Sequence, residues 1–228
     1  MRSPESTGRI VGILLFVHLV TELTTPYMML QPLNEPLTFD ANDSGNAFKV
    51  RLSVILLFIG AAVAVAIAIT VWPVCLKYSY TIALWILALA LVNLSLQCIE
   101  NAVWMSMFTL SQAYAKAGAA DVAVYTLIGA AVRSNWKWVH YTHLLIMVSW
   151  MFMLFVMLWR LALVPRLLAG LGLLTTVLQV TGITLPQFIP YPTPPPLLMG
   201  LPLGVIYLGL SAWLMAKGFT ERQKTVTA

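Results

Sequence analysis

The sequence predicts an all-α, polytopic membrane bundle of about six transmembrane helices, with one candidate interfacial helix between the third and the fourth. Three observations predict it. Of its 228 residues, 60% are hydrophobic and only 9% are charged, against roughly 25% charged residues in soluble domains. Mean hydropathy is +0.87, and several apolar runs exceed the ~18 residues that mark a membrane span. The runs are continuous rather than alternating. Of the two architectures that satisfy their backbone in lipid, helices are therefore predicted over a closed barrel.

The first span is expected over 9–30, with Pro26 kinking or ending its last turn. At about twenty residues, with His18 and Glu22 inside it and no small-residue cleavage site, it does not read as a signal peptide. A polar loop from Gln31 to Lys49 follows, with Pro32, Pro36, Asp40 and Asp43. The second span, 50–72, holds Gly60, Ala61, Ala62, Ala64 and Ala66, small residues that let a neighbouring helix approach closely. Pro73 and Lys77 mark a turn into the third span, 80–108. The stretch 111–133 is Ala-rich and amphipathic, and fits an interfacial helix or a helical extension. Trp136, Lys137 and Trp138 form an aromatic and basic belt before the fourth span, 139–164. The fifth, 167–185, is separated by a proline-rich loop from the sixth, 197–219, and the tail is polar. The whole chain, 1–228, reads as a single transmembrane domain.

Lys and Arg at the helix ends number eight on the side of both termini and five on the other, which favours both termini in the cytoplasm and a multi-pass protein of the cell membrane. The net charge of +5 contains no basic run, so it reads as topology and lipid contact rather than nucleic-acid binding. The two cysteines, Cys75 and Cys98, form neither a CxxC nor a zinc pattern, and no disulfide is expected.

The stretch around which these helices must arrange themselves is Asn93 to Trp104. Asn93, Gln97, Glu100 and Asn101 fall at i, i+4, i+7 and i+8, so a helix places them on one face. A carboxylate at a membrane helix centre costs at least ~2.5 kcal/mol, so it normally faces the bundle interior and finds a partner. Six spans bring His18, Glu22, Glu100, His140 and His143 into the same half of the bundle, the outer half on the topology above. His18 and Glu22 stand at i, i+4, and His140 and His143 at i, i+3.

These pairs leave several chemistries open. Glu100 and His143 are candidates for an acid–base pair. Glu22, Arg51, Asn101, Trp104 and Gln179 are candidate ligand contacts. His18, His140 and His143 are candidate metal ligands, so a metal ion or haem is a candidate cofactor. Beside these stand blander readings: solvated interfacial histidines, a Glu22–Arg51 ion pair, and a Glu100 cluster that only joins helices. No nucleophile motif, phosphate loop or metal signature selects an enzyme.

Four segments also carry a resemblance. They are Gly8-Arg-Ile-Val-Gly-Ile-Leu-Leu15, Phe48-Lys-Val-Arg-Leu52, Val164-Pro-Arg-Leu-Leu-Ala-Gly-Leu171 and Ala212-Trp-Leu-Met-Ala-Lys-Gly218. Together they resemble the bacterial family defined by the domain of unknown function 4386, over nearly the whole chain. The resemblance implies a six-helix membrane bundle and brings no catalytic residues with it. The expected function is binding of a small or amphiphilic ligand at the polar cluster. The alternatives are an intramembrane enzyme acting on a lipid or isoprenoid, and a structural subunit of a membrane complex. The lipid bilayer is the expected surrounding, with a further copy or another membrane protein as candidate partner.

Overall fold

A computed structural model describes residues 3–26, 30, 44–117, 121–189 and 195–220. It contains six helices: α1 (Pro4–Thr25), α2 (Ser44–Leu76), α3 (Tyr80–Lys116), α4 (Val122–Leu161), α5 (Arg166–Thr184) and α6 (Pro195–Lys217). A 3₁₀ turn, Leu185–Gln187, extends α5, and no strand occurs among the described residues. Five of the helices, α2 to α6, are long and apolar enough to cross a membrane. The first polar loop over 31–43, the proline run over 190–194 and the tail from 221 lie outside the described residues.

Local chemistry sets the ends of the helices. Ser3 caps α1 by accepting from the Ser6 amide at 3.1 Å, and Pro4 stands at the first helical position, where its missing N–H costs nothing. Pro26 follows the last residue of α1. Ser79 caps α3 and leaves a turn of three residues, 77–79, after α2. Ala162 takes the left-handed conformation (φ 51°) that closes α4. Pro165 then precedes α5.

Each helix packs along its neighbours in sequence, and α6 returns to α1, so the six form a closed up-and-down ring. Small residues set the closest seams. Gly8 and Gly12 lie against the α6 end at Leu214–Phe219, Gly172 against Phe155, and Gly182 against Met199. The ring interior is filled by Leu15, Ile67, Ile86, Trp150, Leu154, Phe155, Tyr207 and their neighbours. At one end, the Thr220 amide donates to the Leu163 carbonyl at 2.8 Å and ties the close of α6 to the α4–α5 turn.

The helices differ greatly in length. α2, α3 and α4 have 33, 37 and 40 residues, whereas α5 has 19. At 1.5 Å per residue α4 is about 60 Å long, roughly twice the hydrocarbon thickness of a bilayer. Because the α2–α3 and α4–α5 turns share one end, the excess of all three projects from the other. There they hold a second apolar cluster of Val50, Leu57, Val103, Trp104, Met107 and Phe108. Of the two readings of 111–133, the structure takes the helical extension. Apart from the three undescribed residues 118–120, the stretch continues α3 and α4 rather than forming a separate interfacial helix.

Candidate functional site

The polar stripe of α3 sits between the two apolar clusters. Asn93, Gln97, Glu100 and Asn101 are all buried, so the face inferred from their spacing is the face that points inward. Glu100 takes an imidazole on each carboxylate oxygen. His140 Nδ1 lies 2.8 Å from Oε1 and His143 Nδ1 lies 2.7 Å from Oε2, so each Nδ1–H donates to the carboxylate. On the far side of the His143 ring, Nε2 lies 3.2 Å from Asn93 Oδ1. Gln97 donates to Asn101 Oδ1 at 2.9 Å, and the Asn101 amide donates across to the Val54 carbonyl of α2 at 3.0 Å. The cluster therefore joins α2, α3 and α4.

His143 and Glu100 are nearly sealed, but the His140 side chain is a third exposed and forms the open edge of the cluster. Its ring stacks on Trp136 at 5.1 Å and 17°, and Trp136 packs in turn against Trp104. Of the residues expected as an aromatic and basic belt, Trp136 thus forms one wall of the site, while Lys137 and Trp138 stay exposed.

A second group faces the ring interior from α1. His18, Glu22 and Thr25 repeat at i, i+4 and i+7 and share a side of that helix. The Tyr207 hydroxyl of α6 lies 3.3 Å from His18 Nδ1, within hydrogen-bond distance, and the Trp150 ring of α4 lies 5.4 Å from the His18 ring. His18 Nε2, Glu22 Oε1, Thr25 Oγ1 and Trp150 Nε1 are buried and have no hydrogen-bond partner among the described residues. Gly60 of α2 makes room for this group, because a Cβ there would stand 2.5 Å from Thr21 Oγ1 and 2.6 Å from Glu22 Oε1. The two groups lie within electrostatic reach of each other, Glu22 of Glu100 and His18 of His143. The two groups together are termed the polar column; His140 is its exposed edge, and Trp150 and Tyr207 belong to the apolar interior.

Several sequence candidates fall elsewhere. Arg51 is exposed, and no ion pair joins it to Glu22 among the described residues. Gln179 packs across the α5–α6 seam against Gly200, away from Glu100. Trp104, by contrast, is buried beside the site, against Trp136, at the edge of the second apolar cluster. The structure does not gather His18, His140 and His143 as metal ligands: two turn Nδ1 to Glu100, and the third faces Tyr207. No group of three or more His, Cys, Asp or Glu side chains among the described residues is placed to hold a metal ion. Cys75 is buried against Met157 and Cys98 is exposed, and both are free thiols.

Sequence reasoning missed Tyr207 and the polar side of Trp150. The only signal for either was a single polar atom within an apolar helix.

Comparison with curated proteins finds no match, and comparison with solved structures finds none either. Comparison with protein families matches residues 10–218, nearly the whole chain, to the one described as Domain of unknown function (DUF4386). The four short segments and the six-helix ring agree with that match, and the chain belongs to this family.

Proposed function

We propose that the protein is a membrane-resident binding protein whose polar column receives a small polar or amphiphilic molecule. The observation that carries this reading is the set of buried, unpartnered atoms His18 Nε2, Glu22 Oε1 and Trp150 Nε1. An amide or hydroxyl buried without a partner costs roughly 1–3 kcal/mol in proteins, so such groups call for an explanation. A bound molecule that meets all three supplies one. The Glu100 cluster is already satisfied and serves as the rigid wall beside it, with His140 at the entrance.

Small molecules released by denaturing the purified protein, identified by mass spectrometry, test the proposal. The expected result is one compound near stoichiometric amount in the wild type and at least tenfold less in Glu22→Gln and His18→Ala of equal thermal stability. Equal blanks in all three proteins would sink the reading and leave the column as a hydrated structural core.

A second reading, an enzyme acting on a lipid or isoprenoid, has one observation in its favour: a buried carboxylate flanked by two imidazoles is an acid–base arrangement. It ranks second because both Glu100 oxygens are already engaged.

We further propose that the protein resides in the cell membrane with both termini on the cytoplasmic side. Arg9, Lys77, Arg160, Arg166 and Lys217 at the shared end support this orientation. Fusions after residue 228 check it. A fluorescent protein there should glow and a periplasmic phosphatase should stay inactive, and the reverse pattern overturns the assignment.

A further inference from the structure

A groove of about 520 Å³ runs along α4 between α3 and α5, separate from the polar column. Its volume lies within the range of small-molecule sites, roughly 300–1,000 Å³. Trp85 and Leu89 of α3 form one wall, Phe152 of α4 lies on the floor, and Val177 and Val180 of α5 form the other wall. Trp85 and Val177 are each 54% exposed, so the groove opens sideways, towards lipid in a membrane-spanning bundle.

Three hydroxyls line it: Ser149, Thr176 and Thr181. Each donates its single proton to its own helix. Ser149 donates to the Leu145 carbonyl at 2.8 Å, Thr176 to Leu173 at 2.8 Å and Thr181 to Val177 at 3.0 Å. What remains for a ligand is lone pairs only. The groove thus accepts hydrogen bonds, offers no side-chain donor from these hydroxyls, and has no charged side chain in its lining.

Depth narrows the choice further. Thr176 stands ten residues into α5, about 15 Å from its start, which is half the thickness of a bilayer's hydrocarbon. A charged phospholipid headgroup does not come to rest there, because ions are costly at that depth. A neutral molecule with a single O–H donor meets both conditions.

We propose that the α3–α4–α5 groove is a binding site for a neutral, lipid-soluble alcohol or phenol, held by its O–H on one of the Ser149, Thr176 and Thr181 oxygens with its apolar body along Trp85 and Phe152. The site does not depend on the His18–Glu22 column, so a blank result there leaves this proposal standing.

The test uses the full chain in phosphatidylcholine nanodiscs and a diazirine-bearing hexadecanol as photoaffinity probe. Labelled residues are mapped by mass spectrometry. Labelling is expected on groove residues of α3, α4 and α5, and unlabelled hexadecanol should compete at least tenfold better than hexadecyl methyl ether, which lacks the donor, or palmitate, which is charged. Thr176→Val with Thr181→Val keeps the shape, removes two acceptors, and should abolish the preference for alcohol over ether. Val180→Trp should fill the groove and cut its labelling at least fivefold. Labelling spread evenly over lipid-facing positions such as Leu167 and Val205, or equal competition by the ether, would show ordinary lipid contact and overturn the proposal.

Discussion

Glu100→Ala should lower the unfolding free energy by about 2–5 kcal/mol, because it strands two imidazole N–H donors, at roughly 1–3 kcal/mol for each buried group left without a partner. The alanine leaves His143 buried with Nδ1 facing a void, and His140 loses the oxygen that holds its ring on Trp136. Glu100→Gln should lose less, about 1–3 kcal/mol. Its amide can still accept from one imidazole and, after a change of tautomer, donate to the other. Equilibrium unfolding in mixed detergent micelles, followed by tryptophan fluorescence, should rank wild type above Glu100→Gln and Glu100→Gln above Glu100→Ala. A double-mutant cycle with His143→Ala should be strongly non-additive, because each single variant strands the residue that the other one removes. If Glu100→Ala unfolds within about 0.5 kcal/mol of wild type, the range of ordinary surface substitutions, the cluster is not holding α3 to α4.

That site was legible in advance for a specific reason. Asn93, Gln97, Glu100 and Asn101 are polar residues at helical spacing in an apolar run, and lipid leaves such a stripe one place to go. His140 and His143, at i, i+3, share a helix face, but that spacing alone is equally compatible with solvated interfacial histidines. Their convergence on one carboxylate follows from antiparallel packing of α3 and α4. The lengths of α3 and α4 were less legible, because hydropathy measures bilayer thickness and is silent about a helix that continues beyond it. For Arg51 and Gln179 the sequence offers depth and polarity alone, and neither property says which way a side chain points. Tyr207 and Trp150 gave no periodic signal, since one polar atom on a large ring is lost in an apolar average. The closure of α6 on α1 depends on residues about 200 apart in sequence, and only Gly8 and Gly12, one turn apart, hinted at a close seam there.

Gly12→Leu should be strongly damaging, because Gly12 faces backbone across the α1–α6 seam. A Cβ at Gly12 would stand 2.6 Å from the Met215 amide nitrogen and 2.9 Å from Leu214 Cβ, and one at Gly8 would meet the backbone of Gly218 and Phe219. Flexible side chains can move aside for an added carbon, but backbone cannot, so α1 must withdraw from α6. Overpacking typically costs about 1–3 kcal/mol, and a clash with backbone belongs at or above the top of that range. The damage should also travel, because His18 of α1 meets Tyr207 of α6 across the same seam. Gly12→Ala should cost less than Gly12→Leu, while Gly209→Ala is the matched control. Gly209 lies within α6 with nothing near its missing Cβ, so alanine there should be neutral or stabilising by up to about 1 kcal/mol through helix propensity alone. Unfolding midpoints in the same micelles decide the matter. Equal midpoints for Gly12→Leu and wild type would mean that α1 is not held closely by α6. The six helices would then form an open row, and the polar column would lose its contact with Tyr207.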